Sequence, residues 1–181
     1  MDSFENLMAF LMRREGYWVQ TSFKVDLTKK DKIAMGRPTS PRWELDLLAY
    51  KAKGNVLRVI ECKSFFDSVG VHAKGLNGKS EQEGNHYKIF NSAQLRRVVF
   101  RRLIRQLTAS GLCRPSPKII LCLAAGNIAT SKDKQELEQL FKRRKWELYD
   151  NDWLKARLAE VSITKYENEL ASIVAKILLR N

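Results

Sequence analysis

Two apolar segments joined by a short turn constrain this chain more than any other feature. Residues 43–50 (WELDLLAY) and 56–63 (VLRVIECK) are rich in aliphatic, aromatic and β-branched types, and Lys53-Gly54-Asn55 lies between them. That pattern predicts an antiparallel hairpin with a tight turn. Charged residues sit among apolar ones near its open end: Asp46 on the first strand, Glu61 and Lys63 on the second. Residues two apart in a strand share a face, so Glu61 and Lys63 project together and Cys62 points the other way. On the first strand Trp43, Leu45 and Leu47 are expected on one face and Glu44 and Asp46 on the other. A turn near residue 54 brings position 46 close to position 62 or 63, and cross-strand neighbours lie about 5 Å apart.

Charges flanked by apolar residues must be paired or must hold an ion. Two carboxylates without histidine or thiolate favour Mg²⁺ or Mn²⁺ over zinc. Such an ion polarises a phosphoryl oxygen and activates water. A lysine beside it orients or deprotonates the attacking water, or stabilises charge on the reacting phosphate. Burial and a neighbouring cation are expected to depress the Lys63 pKa. The chemistry that fits is metal-assisted phosphodiester hydrolysis.

The rest of the chain supplies a frame. Phe4, Leu7, Met8 and Leu11 predict a helix over 3–14, ended by Gly16. Residues 17–27 read as a strand, and 28–42, with Gly36, Pro38 and Pro41, as a basic loop. The glycine-rich stretch 67–84 is expected to be mobile. A helix is predicted over 87–109, a buried strand over 118–124, and a helix over 132–145 with Ser131 as its cap. A short edge strand at 146–149 and helices at 151–159 and 164–179 follow. This order implies an α/β fold: a mixed central sheet flanked by helices on both faces. Residues 1–150 form the expected core. Residues 151–181 pack on it or form a homodimer interface, and the apolar strip of Ala171, Val174, Ala175 and Leu178 suits either.

Charge names the partner class. Lys plus Arg is 33 and Asp plus Glu is 20, a net charge of +13 with a pI near 9.8. That field attracts polyanions, of which nucleic acid is the commonest. No apolar run is long enough to span a membrane and no amphipathic anchor stands out, so a membrane partner is not expected. Cys62, Cys113 and Cys122 are odd in number and widely spaced. They form neither a disulfide framework nor a zinc site, and a cytoplasmic protein is expected.

The segment Glu44-Leu45-Asp46 … Val59-Ile60-Glu61-Cys62-Lys63 resembles the PD-(D/E)XK nuclease superfamily, whose restriction-endonuclease-like fold takes an Asp, a Glu and a Lys from a strand hairpin at about this spacing. The resemblance covers residues 3–124 in element order. The proline in the family's name is absent, and Leu45 precedes Asp46. The general style is similar to Mrr-like enzymes and archaeal Holliday-junction resolvases. The resemblance implies a Mg²⁺- or Mn²⁺-dependent nuclease acting on DNA, expected to be an endonuclease. It implies Glu5 in the first helix as a further metal ligand, with Glu15 a weaker candidate, the Cys62 backbone carbonyl as another ligand, and Gln94 as a polar residue of the following helix. The alternative is a nuclease-like module that binds nucleic acid without cutting it, alone or in a larger DNA-processing complex.

Several basic residues are placed to hold DNA. Arg97, Arg101 and Arg105 recur every four residues and form one stripe of a helix. Arg37 and Arg42 run into the Asp46 strand, and Lys74, with His72 and Lys79, leaves the Lys63 strand. Lys142 to Lys145 are expected to be solvated.

Overall fold

A computed structural model describes residues 2–39, 42–78, 80–165 and 167–179; Pro41 and Lys79 lie outside these. Helix α1 (Ser3–Arg14) begins at Asp2, whose carboxylate accepts the Glu5 N–H at 2.8 Å, and ends before Gly16 at φ +80°. Strands β1 (Trp18–Val25), β2 (Trp43–Lys51) and β3 (Val56–Lys63) form an antiparallel meander. The β2–β3 turn places Gly54 at φ +83° and Asn55 at φ +49°, conformations that glycine and asparagine tolerate best. Strand β4 (Lys118–Ala125) then pairs parallel to β3, and β5 (Glu147–Tyr149) parallel to β4. The sheet order is β1-β2-β3-β4-β5, the mixed topology expected.

Helices cover both faces. Phe4, Met8, Leu11 and Met12 of α1 share one core with Leu154 and Val161 of α7 (Asn151–Ser162) and Ala175 of α8 (Leu170–Leu179). Leu95, Val99, Leu103 and Leu107 of α5 (Ala93–Ala109) fill the opposite core with Leu137, Leu140 and Phe141 of α6 (Ser131–Arg144). The expected C-terminal strip is divided. Ala175 is buried and Ala171 packs beside it, while Val174 and Leu178 are exposed with Leu170 and Ile177.

Four local readings are corrected. The basic loop 28–42 contains a helix, α2 (Lys29–Ala34), because Thr28 and Asp31 form a reciprocal capping box. The predicted helix 87–109 is broken. A 3₁₀ turn (Asn85–Tyr87) and α4 (Lys88–Asn91) end at Ser92, which turns extended and caps α5 through the Leu95 N–H. Thr130, not Ser131, caps α6, because its hydroxyl accepts the Asp133 N–H.

The stretch 67–84, expected to be mobile, is pinned. Val71 bridges Ile128, and the Asp133 carboxylate accepts the Ala73 N–H at 2.8 Å and approaches His72 Nδ1 at 3.4 Å. This stretch also contains a 3₁₀ turn (Ala73–Gly75) and the short α3 (Glu81–Gly84). All three cysteines are buried free thiols. Among the described residues no helix is long and apolar enough to cross a membrane.

Candidate active site

The hairpin register decides which side chains meet. The β2–β3 ladder ends at Leu47–Ile60, and just beyond it Asp46 meets position 62, as the hairpin pattern predicts: its carboxylate accepts the Cys62 N–H. The Asp46 and Glu61 carboxylates come near enough for the charge of one to act on the other.

The alternation expected on β2 breaks at Asp46 itself. Trp43 and Leu45 pack into the α5–α6 core, whereas Leu47 and Ala49 pack into the α1 core. The switch coincides with Ser22, which lies across from Asp46, takes φ +49°, and leaves the β1–β2 pairing interrupted there. The backbone therefore turns over at the point where the acid stands.

Asp46 Oδ2 accepts the Cys62 N–H at 2.8 Å, and Lys63 Nζ donates to Glu61 Oε1 at 2.8 Å. Cys62 itself turns into the α1 core, as the strand period requires. The Glu61 and Lys63 side chains keep only 18% and 21% of their surface open, so this is a largely desolvated group of charges. Glu5 reaches the same place from the first turn of α1. Its Oε2 is buried with no hydrogen-bond partner. That is a costly state for an acceptor unless something outside the protein chain completes it.

The electrostatics record crowding. Burial raises the pKa of Asp46 despite its bond from Cys62 and the Lys63 charge. Burial and then the Asp46 charge raise Glu61, although Lys63 opposes them. Burial, followed by the charges of Asp46 and Asp2, raises Glu5. Lys63 departs from expectation. Burial pulls its ammonium down, but the bonded Glu61 carboxylate and Asp46 outweigh that and hold it above its ordinary value. The surrounding acids set this direction in the metal-free chain.

Three carboxylates and one ammonium sum to two excess negative charges. Among the described residues no three His, Cys, Asp or Glu side chains already stand in chelating positions. Like charges with no cation between them keep apart, and one oxygen each of Asp46 and Glu61 is occupied by Cys62 and Lys63. The chemistry of the donor set suits a hard dication: the side-chain donors are carboxylate oxygens, and Glu5 Oε2 is unpartnered.

The other predicted residues divide. Arg97 and Arg105 are exposed along α5 and have no acid partner among the described residues, but Arg101 is held by buried Asp31 at 2.8 Å. Lys74 pairs with Glu83 at 2.7 Å, and Arg42 with Asp26 at 3.1 Å. Gln94 donates to the Ala34 carbonyl and so straps α5 to α2 rather than facing the acids. Glu15 pairs with Arg157 at 3.0 Å, in a separate pocket beside Tyr17 and Trp153. Lys142 to Lys145 are exposed, as expected. Arg37 lines a cleft of about 640 Å³ together with Lys88 and Asn91. Sequence reasoning missed Lys88, because it read residues 87–109 as one unbroken helix. It also missed Phe66, which follows Lys63 by three residues and stays exposed.

No family model, curated protein or solved structure matches this chain.

Proposed function

We propose that this protein is a Mg²⁺- or Mn²⁺-dependent nuclease that hydrolyses phosphodiester bonds of DNA endonucleolytically, in the cytoplasm. The observation that carries the reading is the charge of the cluster: Glu5, Asp46 and Glu61 gathered around Lys63, half-buried, with two negative charges in excess. Glu5, Asp46, Glu61 and the Cys62 carbonyl are the groups that would hold the ion. When bound, it would polarise a phosphoryl oxygen and lower the pKa of water beside it.

The chain's own groups then have distinct work. Lys63, bonded to Glu61 in the metal-free chain, would orient the attacking water or stabilise charge on the phosphate in the transition state. Asp46, tied to the Cys62 backbone, fixes the register of the two strands at the site. Arg97 and Arg105 hold phosphates along the duplex without reading sequence. The spacing of Asp46, Glu61 and Lys63 and the order of elements resemble those of the PD-(D/E)XK nucleases, which supports the same reading.

Supercoiled plasmid incubated with Mg²⁺, Mn²⁺ or EDTA tests it. Nicked or linear product is expected with either metal and none with EDTA. Lys63→Ala is expected to lose cleavage by a factor of about 100 or more while still binding DNA. A second reading, binding without cleavage, draws on the Glu61–Lys63 bond, which already occupies one ligand oxygen. It predicts retarded but uncut plasmid under every condition. The exposed Leu170, Ile177 and Leu178 of α8 suit a second copy of the chain, and sedimentation velocity measures whether one binds.

A further inference from the structure

Beside the acids the chain does something that folding alone does not reward. Strand β3 ends at Lys63, and two residues later Phe65 takes φ +45°, a left-handed conformation rare for a bulky side chain. Phe65 packs against the α5–α6 core. The next residue, Phe66, is sent the other way and keeps 59% of its surface open to solvent.

Its ring is nevertheless held. It meets the Phe4 ring edge-on, with centroids 5.5 Å apart and planes at 85°. It also lies against Gly126, directly after β4. A Cβ built on Gly126 would stand 2.7 Å from the Phe66 ring and 2.2 Å from the Ser64 carbonyl. Only glycine admits this loop. The Gly126 N–H donates to the Lys63 carbonyl at 2.9 Å, which ties the seat of the ring to the end of the catalytic strand. Phe4 is buried and adjoins Glu5 in the first turn of α1. The exposed ring is therefore fixed between α1, which carries Glu5, and Gly126, which is tied to the end of the strand that carries Glu61.

We propose that Phe66 is a stacking platform for an unpaired nucleobase next to the cleaved phosphate, so that the preferred substrate is DNA with an exposed base, such as a gap or a single-strand–duplex junction. This rests on the nuclease reading and refines it by naming the substrate class. The ring's chemistry supports the choice. Every base has a π-face, so one rigid aromatic serves any sequence, whereas bases inside continuous duplex have both faces covered. An exposed aromatic that merely filled space would turn into the core, as its strained neighbour Phe65 does. Here a backbone outlier and an obligatory glycine hold it out, at the rim of the acid cluster.

Fluorescence anisotropy on the full chain in EDTA tests this, with 2-aminopurine at the unpaired position of a gapped duplex or inside a continuous one. Wild type is expected to bind the gapped probe about tenfold more tightly, with quenched 2-aminopurine. Phe66→Ala is expected to lose that tenfold and the quenching, and to bind continuous duplex as before. Phe66→Trp is expected to restore both, which separates stacking from a folding defect. An unchanged preference in Phe66→Ala, or equal weakening on both probes, overturns the proposal; so does Phe66→Ala altering only self-association.

Cleavage is scored separately with Mg²⁺. Cutting by wild type with no role for Phe66 refutes the platform alone. A Phe66-dependent preference without cutting upholds the platform and refutes the nuclease.

Discussion

Replacing Glu5 with glutamine is expected to stabilise the metal-free protein and to blunt its response to a divalent ion. Glu5 Oε2 is buried without a partner, and no basic side chain bonds to this carboxylate among the described residues. The nearest charges, Asp46 and Asp2, repel it. Glutamine keeps a polar atom at this position and removes only the charge, so the gain is the relieved repulsion from Asp46 and Asp2, about 1 kcal/mol for a half-buried group. For a chain of this size that is about 2–4 °C in melting temperature. An ion present at 100 times its Kd stabilises the wild type by about 2.7 kcal/mol, or about 5–10 °C.

Thermal melts in EDTA and then with Mn²⁺ or Mg²⁺ measure both effects. The glutamine variant is expected to melt higher in EDTA and to gain less with metal. The sign in pH follows from the same cause. Because the folded pKa of Glu5 lies above its ordinary value, the ionised form is the one the fold disfavours. Metal-free wild type therefore gains stability as pH falls through the folded pKa toward the unfolded one, and the variant lacks that share of the gain. A variant that melts lower than wild type in EDTA and keeps the whole metal shift would refute the reasoning.

Other outcomes follow from single contacts. Gly126→Ala forces a Cβ to 2.2 Å from the Ser64 carbonyl, so a loss of about 3 kcal/mol or more and loss of cleavage are expected by denaturant titration and plasmid assay. Arg97→Ala and Arg105→Ala are each expected to reduce the salt dependence of DNA binding by about 0.9 in log–log slope. Arg101→Ala is expected to change that slope less, because Asp31 already engages it. Asp31 has its pKa lowered chiefly by the Thr28 hydroxyl, a pull that exceeds the opposing effect of burial and is helped by Arg101 and Arg102. Its contribution is present above the unfolded carboxylate value near 3.9 and is lost as pH falls below that through the folded pKa. Asp31→Asn is expected to cost about 1 kcal/mol at pH 7 and to flatten the acid limb of urea-unfolding midpoints.

The strands were legible because a two-residue period survives without tertiary knowledge. Glu61 and Lys63 share a face, and Cys62 takes the other, as that period dictates. What the period could not reveal was the left-handed Ser22, which turns β2 over at Asp46 and splits Leu45 from Leu47. Hairpin register depends on turn geometry, and the Gly54 turn brings position 46 to position 62, where the Cys62 N–H meets the Asp46 carboxylate.

Helix α2 was hidden by its lysines, although Thr28 and Asp31 carried the capping signal. The pinned stretch after Lys63 depends on Ile128 and Asp133, 57 and more residues away, which no local pattern reports. Gln94, Lys74 and Arg101 look free in sequence because nothing there shows that Ala34, Glu83 and Asp31 will meet them. The direction of the Lys63 shift turned on which charges surround it, and only coordinates supply that.

Crystals soaked in Mn²⁺ and measured at the manganese absorption edge test the shared-ion claim most directly. One anomalous peak is expected among Glu5, Asp46 and Glu61, with Glu5 Oε2 now ligated and the peak lost in Asp46→Ala. No peak there at millimolar Mn²⁺, or a peak only elsewhere on the molecule, would contradict it.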